Sequence, residues 1–279
     1  TVLYMAKNKL QEKLLSDVRH IEVNPLSRLS DNLILHDYDC IVYYNSLNIY
    51  NTISSLKKQS KFSSKIFEIY HSDFIWSDAV AKLRRREGVS AIFRIDENLA
   101  NDISSTNNLK KIHLPTGIDI NRFKKLREPP LSVRSLGIDN EKIIFGTVAR
   151  LSPEKNLLYT IDLVSNIENA HLIIVGSGPD ENKIKKYIKN NENITLVEYT
   201  DKVEDYYNIF DAFILTSKIE GMPISILEAM STGLQIFTTD VGAIKSNIGS
   251  LNGVNMLTGD LSNDLEIISK KAEKDLFFE

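Results

Sequence analysis

Glycine is missing from the first 87 residues of this 279-residue chain, where Gly88 is the first to occur. That excludes from the opening stretch the tight turns and close backbone approaches that only glycine permits. Cysteine is almost absent. Cys40 stands alone, so neither an intramolecular disulfide nor a cysteine-based zinc site can form, and a small buried hydrophobe beside a strand is expected there. No apolar run approaches the ~20 residues of a membrane span. No secretory leader is read at Thr1, and a cytoplasmic protein is the expectation. An excess of positive charge is lacking too. The 34 Lys and Arg against 37 Asp and Glu leave a net charge of −3, which argues against broad nucleic-acid binding. What remains is 42% hydrophobic and 25% charged residues in a length sufficient for two modest α/β domains.

The second half alternates apolar runs with helix-period segments. Strands are expected at 142–148, 171–175, 193–198, 212–216 and 235–239, and helices at about 156–168, 181–190, 203–209, 223–232 and 242–248. This pattern predicts a parallel sheet covered on both faces, with ligands at the C-terminal strand ends. The turns at Arg150, 176–178, 216–221 and 239–242 would share that edge. The first half carries apolar runs at 1–6, 39–44, 65–70 and 89–95 between helix-like stretches such as 47–58 and 75–87. The polar, stiff segment 124–130, ending Pro129-Pro130, reads as a linker between two domains.

Residues 220–233 are the most informative stretch. Glu220 closes an apolar run, Gly221 and Pro223 supply a turn and a favourable first helical position, and Glu228 follows inside the helix. A fresh helix N-terminus offers unpaired backbone N–H groups to an anionic or hydroxyl-rich ligand. The plainer reading is an acidic residue near a helix dipole and another on a solvated face. Upstream, the run from Ile143 through Gly146 reaches a loop with Arg150 and Lys155. Arginine can hold two phosphate oxygens in a fork, and lysine acts as a point charge.

Glu220-Gly221-Met222-Pro223 through Glu228-Ala229-Met230 to Gly233 resembles the E-x7-E motif of retaining GT-B glycosyltransferases of the family 4 type, the glycosyl transferases group 1. Gly146 through Arg150 to Lys155-Asn156 matches that family's G-x-[VL]-x-R-x-x-x-x-K-[GN] pattern. The sequence Ile112-His113-Leu114-Pro115-Thr116-Gly117-Ile118-Asp119 matches its I-x-x-[IL]-P-N-G-[IV]-D, with Thr116 for the usual Asn. Gly117 is expected at positive φ in a tight turn, with Asp119 accepting backbone N–H bonds and the segment shaping a cleft floor and hinge. Gly176-Ser177-Gly178-Pro179 corresponds to the family's G-x-G-P rather than to a dinucleotide fingerprint, whose third glycine is here Glu181.

The resemblance implies an α/β GT-B architecture of two Rossmann-like domains facing across a cleft, the N-terminal one reduced or truncated. The expected division is an acceptor-side domain over 1–128, a nucleotide-sugar-binding domain over 129–265 and a C-terminal helix over 266–279. It implies metal-independent, retaining transfer from a nucleotide-diphosphate sugar, UDP or GDP being expected, to a glycan, lipid-linked or other hydroxyl acceptor. The process would be surface polysaccharide or glycoconjugate synthesis. Catalytic roles fall on His71, Arg150, Lys155 and Glu220. Donor binding would involve Gly146, Arg150, Lys155, Gly178, Gly221, Met222, Pro223, Ile224 and Glu228. Glu220 would bond the sugar and Glu228 the ribose hydroxyls, with no metal and no separate cofactor. His71 matches the family's H-[DSE] position at a strand end and suits proton handling. Asp37-Tyr38-Asp39 reads as a polar cluster leading a strand. Peripheral contact with the inner membrane face through Lys82, Arg84, Arg85 and Arg86 is a further expectation, the simpler reading being cations complementing a helix dipole. Two rivals stay open: a non-catalytic GT-B subunit that binds a nucleotide sugar, and a GT-B nucleotide-sugar epimerase.

Overall fold

In the computed structural model, residues 2–4, 20–22, 40–44, 65–70, 89–95 and 108–272 are described. Contacts divide the chain into two units, one built from the strands up to His113 and one from Leu114 onward. The first unit holds a parallel pair, β1 (Val2–Tyr4) with β2 (His20–Glu22), and a four-stranded parallel sheet. That sheet runs in the order β3 (Cys40–Tyr44), β4 (Lys65–Tyr70), β5 (Ala91–Arg94), β6 (Lys110–His113). Ile66, Ala91 and Ile92 are buried, and the Phe67 and Phe93 rings meet tilted at 5.6 Å across neighbouring strands. Cys40 is exposed at the start of β3, correcting the buried placement expected for it.

The second unit is a six-stranded parallel sheet. Its strands are β7 (Ile143–Val148), β8 (Ala170–Val175), β9 (Ile194–Val197), β10 (Ala212–Leu215), β11 (Gln235–Thr239) and β12 (Val254–Leu257). They are ordered β12-β11-β10-β7-β8-β9. Helices α1 (Leu157–Ser165), α2 (Glu181–Tyr187), α3 (Val203–Tyr207), α4 (Ile224–Ser231), α5 (Ile244–Ile248) and α6 (Leu261–Lys271) form the crossovers and the last element. Successive side chains of a strand point to opposite faces, and the core divides accordingly. Ile144, Ile173, Phe213 and Ile236 pack with Tyr207 and Ile226 on one face, while Phe145, Leu172, Ile214 and Phe237 pack with Ile161, Ile184 and Ile268 on the other.

The chain order reverses between β7 and β10. β8 and β9 extend the sheet on one side of β7, and β10 to β12 extend it on the other. At such a point the loops leaving the two central strands diverge and open a crevice above their C-terminal ends.

The segment 114–126 packs onto this second unit. Phe123 is buried with its ring edge-on to Tyr207 at 5.8 Å, Leu126 N–H donates to Asn208 Oδ1 at 2.8 Å, and the Ser231 hydroxyl donates to the Phe123 carbonyl. Asp119 Oδ1 accepts from Asn121 N–H at 2.9 Å, as the sequence led us to expect. Gly117 is not among the positive-φ glycines, so that part of the expectation fails; its position would tolerate a Cβ, with nothing within 4 Å.

Candidate active site

Both loops at the switch point carry charge. After β7 the chain passes Arg150 and enters a short 3₁₀ turn, Pro153–Lys155, closed by Asn156 in the left-handed region at φ 54°. After β10, residues 216–223 lead into α4. The two loops are joined. Lys218 N–H donates to the Glu154 carbonyl at 2.8 Å, and Lys155 Nζ lies 2.6 Å from Glu220 Oε1. The Ser217 hydroxyl donates to the same oxygen at 2.7 Å. With side chains 20% and 9% exposed, this ion pair is largely shielded from water. Coulomb attraction there is screened less than on the surface. Arg150 is exposed, and its side chain makes no hydrogen bond or ion pair among the described residues.

Two glycine contacts fix this edge. A Cβ on Gly242, at φ +60°, would fall 2.3 Å from the Glu220 carbonyl oxygen and 2.4 Å from that of Gly221. The Ala243 N–H donates to the Gly221 carbonyl at 2.8 Å, so the loop after β11 buttresses the turn that carries Glu220. Gly176 and Gly178 have another role: added Cβ atoms would meet the carbonyl oxygens of Ala149 and Leu151 at 2.0 and 2.4 Å. Leu151 N–H donates to the Ser177 carbonyl and Asp180 N–H to the Leu151 carbonyl, at 3.0 and 2.8 Å. The residues on either side of Arg150 are thereby tied to the loop after β8.

Glu228 lies on the second turn of α4, half-buried. Its Oε2 accepts from the Tyr207 hydroxyl at 2.7 Å. Burial pushes its carboxyl above the usual range, while the Tyr207 hydrogen bond and the Arg122 charge pull it back. The N–H groups of Gly221, Met222, Ile224 and Ser225 donate to no described residue, as expected at a helix start.

The remaining sequence candidates divide. Pro223 is buried as the cap of α4, Met222 packs on the core and Ile224 is 52% exposed at the helix start. Gly146 lies inside β7, away from the strand end, where a Cβ would fall 2.0 Å from the Phe210 ring. Its small size is explained there by packing. His71, Lys82, Arg84, Arg85, Arg86 and the Asp37-Tyr38-Asp39 triplet lie outside the described residues. Sequence reasoning missed Tyr207 and Arg122. Arg122 donates to Glu204 Oε2 from Nε and Nη2 at 3.0 and 2.7 Å, and to the Asp201 carbonyl at 2.6 Å. No local spacing signals either residue, because each partner comes from a different loop or helix.

The cation–carboxylate pair Lys155–Glu220 lies at the switch point of a parallel α/β sheet, the place where such sheets bind their ligands. Residues 130–259 match the family model of the glycosyl transferases group 1. A UDP-Gal:α-D-GlcNAc-diphosphoundecaprenol α-1,3-galactosyltransferase of Escherichia coli is 31% identical over 139 residues, covering 46% of this chain and 36% of its own. A poly(glycerol-phosphate) α-glucosyltransferase of Bacillus subtilis is 34% identical over 120 residues, covering 40% and 18%. The similarity thus spans less than half the length of either relative. Among solved structures, Anabaena HepE in complex with UDP superposes with a TM-score of 0.72 at 16% identity, covering 85% of this chain and 70% of that one. The fold is that of the GT-B glycosyltransferases.

Proposed function

We propose that this chain is a retaining, metal-independent glycosyltransferase of the family 4 type. It moves a sugar from a nucleotide-diphosphate sugar to a hydroxyl of a glycan or lipid-linked acceptor in the synthesis of a surface polysaccharide. The observation that carries the reading is the Lys155–Glu220 contact of 2.6 Å bridging the two loops of the switch point. It sets a phosphate-type cation and a sugar-type carboxylate side by side, next to a helix start with free N–H donors.

In the proposed step, the bond between the anomeric carbon and the diphosphate oxygen breaks, and its electron pair leaves with the diphosphate. Arg150, Lys155 and the N–H groups at the start of α4 neutralise that charge, the task a divalent metal performs elsewhere. The acceptor oxygen bonds to the anomeric carbon on the face the diphosphate left, and its proton passes to the departing phosphate oxygen. Glu220 orients the sugar hydroxyls and Glu228 the ribose. UDP is the first base to test, because the Escherichia coli relative is named for UDP-Gal and the Anabaena structure holds UDP; GDP is the second.

Calorimetry with UDP-, GDP-, ADP- and CMP-sugars in the presence of EDTA tests the reading. Submillimolar binding of one base class, lost in the Arg150→Ala, Lys155→Ala variant, supports it; product NMR then reads the anomeric configuration. Binding that survives loss of both cations overturns the diphosphate assignment. Binding without release of nucleotide or transfer favours a non-catalytic subunit.

A further inference from the structure

Glu228 differs from Glu220 in how it is held. Its partner is a phenol, not a cation, and that phenol is enclosed by packing. Tyr207 is fully buried at the end of α3, with its ring against Phe123, Phe210 and Phe213 at centroid distances of 5.8, 6.0 and 5.8 Å. The hydroxyl reaches Glu228 Oε2 at 2.7 Å and lies 3.2 Å from the Ser225 carbonyl, the weaker of its two acceptors. Glu228 Oε1 accepts from no described residue. A carboxylate held through one oxygen has that oxygen placed before any ligand arrives and keeps the other open to it.

We propose that Tyr207 is a positioning residue that presents Glu228 as an ionised double acceptor for a vicinal diol, the ribose 2′- and 3′-hydroxyls of the donor nucleotide, with Arg122 as its electrostatic support. The inference rests on the functional reading above, in which Glu228 meets the ribose. The ionised carboxylate is the stronger acceptor for both hydroxyls, since protonation turns one of its oxygens into a donor. Burial works against that form, and two groups restore it: the Tyr207 hydrogen bond and the positive charge of Arg122. Glu204 on α3 faces the same site with opposing sign, but Arg122 is bonded to it and offsets its charge. Arg122 also stacks over the Phe123 ring at 5.0 Å, so the support comes from the segment 114–126 that packs on this unit.

The test is a titration of the full chain with whichever of UDP and GDP binds more tightly, and with its 2′,3′-dideoxy counterpart, across pH. Wild type is expected to prefer the ribonucleotide. Tyr207→Phe, which keeps the ring packing, is expected to weaken ribonucleotide binding about tenfold, the scale of one hydrogen bond to a charged group. It should leave dideoxynucleotide binding unchanged. The acid limb of the ribonucleotide profile should move to higher pH, because the lost bond favoured ionisation. Arg122→Gln, on a partly exposed side chain, should move the same limb in the same direction and covers the case in which Tyr207→Phe folds poorly. Equal weakening of both nucleotides with an unmoved pH limb would assign Tyr207 to packing alone and overturn the proposal. A wild type that fails to discriminate the two nucleotides would instead remove the ribose role of Glu228, and the inference with it.

Discussion

Glu220 and Asp264 are both shielded carboxylates of the second unit, and they differ in what donates to them. Asp264, on α6, is fully buried and takes four neutral donors: Thr258 N–H at 2.6 Å, Thr258 Oγ1 at 2.8 Å, Gly259 N–H at 3.0 Å and the Tyr159 hydroxyl at 2.6 Å. Both oxygens are saturated, and the group ties β12, α6 and α1 together. Glu220 takes one cation and one hydroxyl on a single oxygen, at the strand edge where the sheet order reverses. A saturated carboxylate has nothing left to offer a ligand. One with an open oxygen beside a lysine does, and burial alone does not separate the two.

The largest effect that would break this comparison is catalytic. Glu220→Gln is expected to lower kcat by about 10²–10³-fold, the scale of removing one preorganised polar group from an active site, measured by nucleotide release under saturating donor. Asp264→Ala is expected to leave kcat per folded molecule unchanged while costing about 3 kcal/mol or more, since it strands several buried donors; urea unfolding followed by circular dichroism measures it. If Asp264→Ala abolished turnover in folded protein, the distinction would collapse.

Gly146→Ala sharpens the contrast between packing and binding within one motif. Its Cβ would strike the Phe210 ring, so a loss of about 1–3 kcal/mol from overpacking is expected, with the donor KM unaltered. A raised KM at unchanged Tm would restore the glycine to the binding site. The smallest effect concerns His171, buried in β8, where Nε2 meets Thr195 Oγ1 at 2.8 Å. Burial pushes its pKa down from 6.5 to about 4. The folded state therefore holds it neutral, so its contribution is intact above pH 6.5 and is lost as pH falls toward 4. Tm should decline across that window, and His171→Gln should flatten the decline.

The second unit was legible because its strands are buried on both faces and read as continuous apolar runs. All ten elements expected between 142 and 248 are present, with ends shifted by at most a few residues. β12 was missed: Val254-Asn255-Met256-Leu257 is a short edge strand with a polar residue inside it, and the α6 start at Leu261 depends on the Asp260 cap, which accepts from Asn263 N–H at 3.0 Å. At the site, Arg150, Lys155, Glu220 and Glu228 stood out through the motifs that resemble the family's. Tyr207 and Arg122 did not, because their partners lie 21 and 82 positions away and only packing brings them together.

The stitching of residues 149–151 to the loop after β8 has a thermodynamic side. Arg150 has its neighbours' backbone fixed by hydrogen bonds while its side chain reaches into solvent. In the proposed role, closing on a phosphate would forfeit only rotamer freedom, about 2 kcal/mol for an arginine, and no backbone order. Freeing the loop, for instance by replacing Gly178 with a bulkier residue, would add a backbone entropy cost of about 1–2 kcal/mol for every residue that must be re-ordered. Affinity for the diphosphate would then fall with the charge of Arg150 untouched.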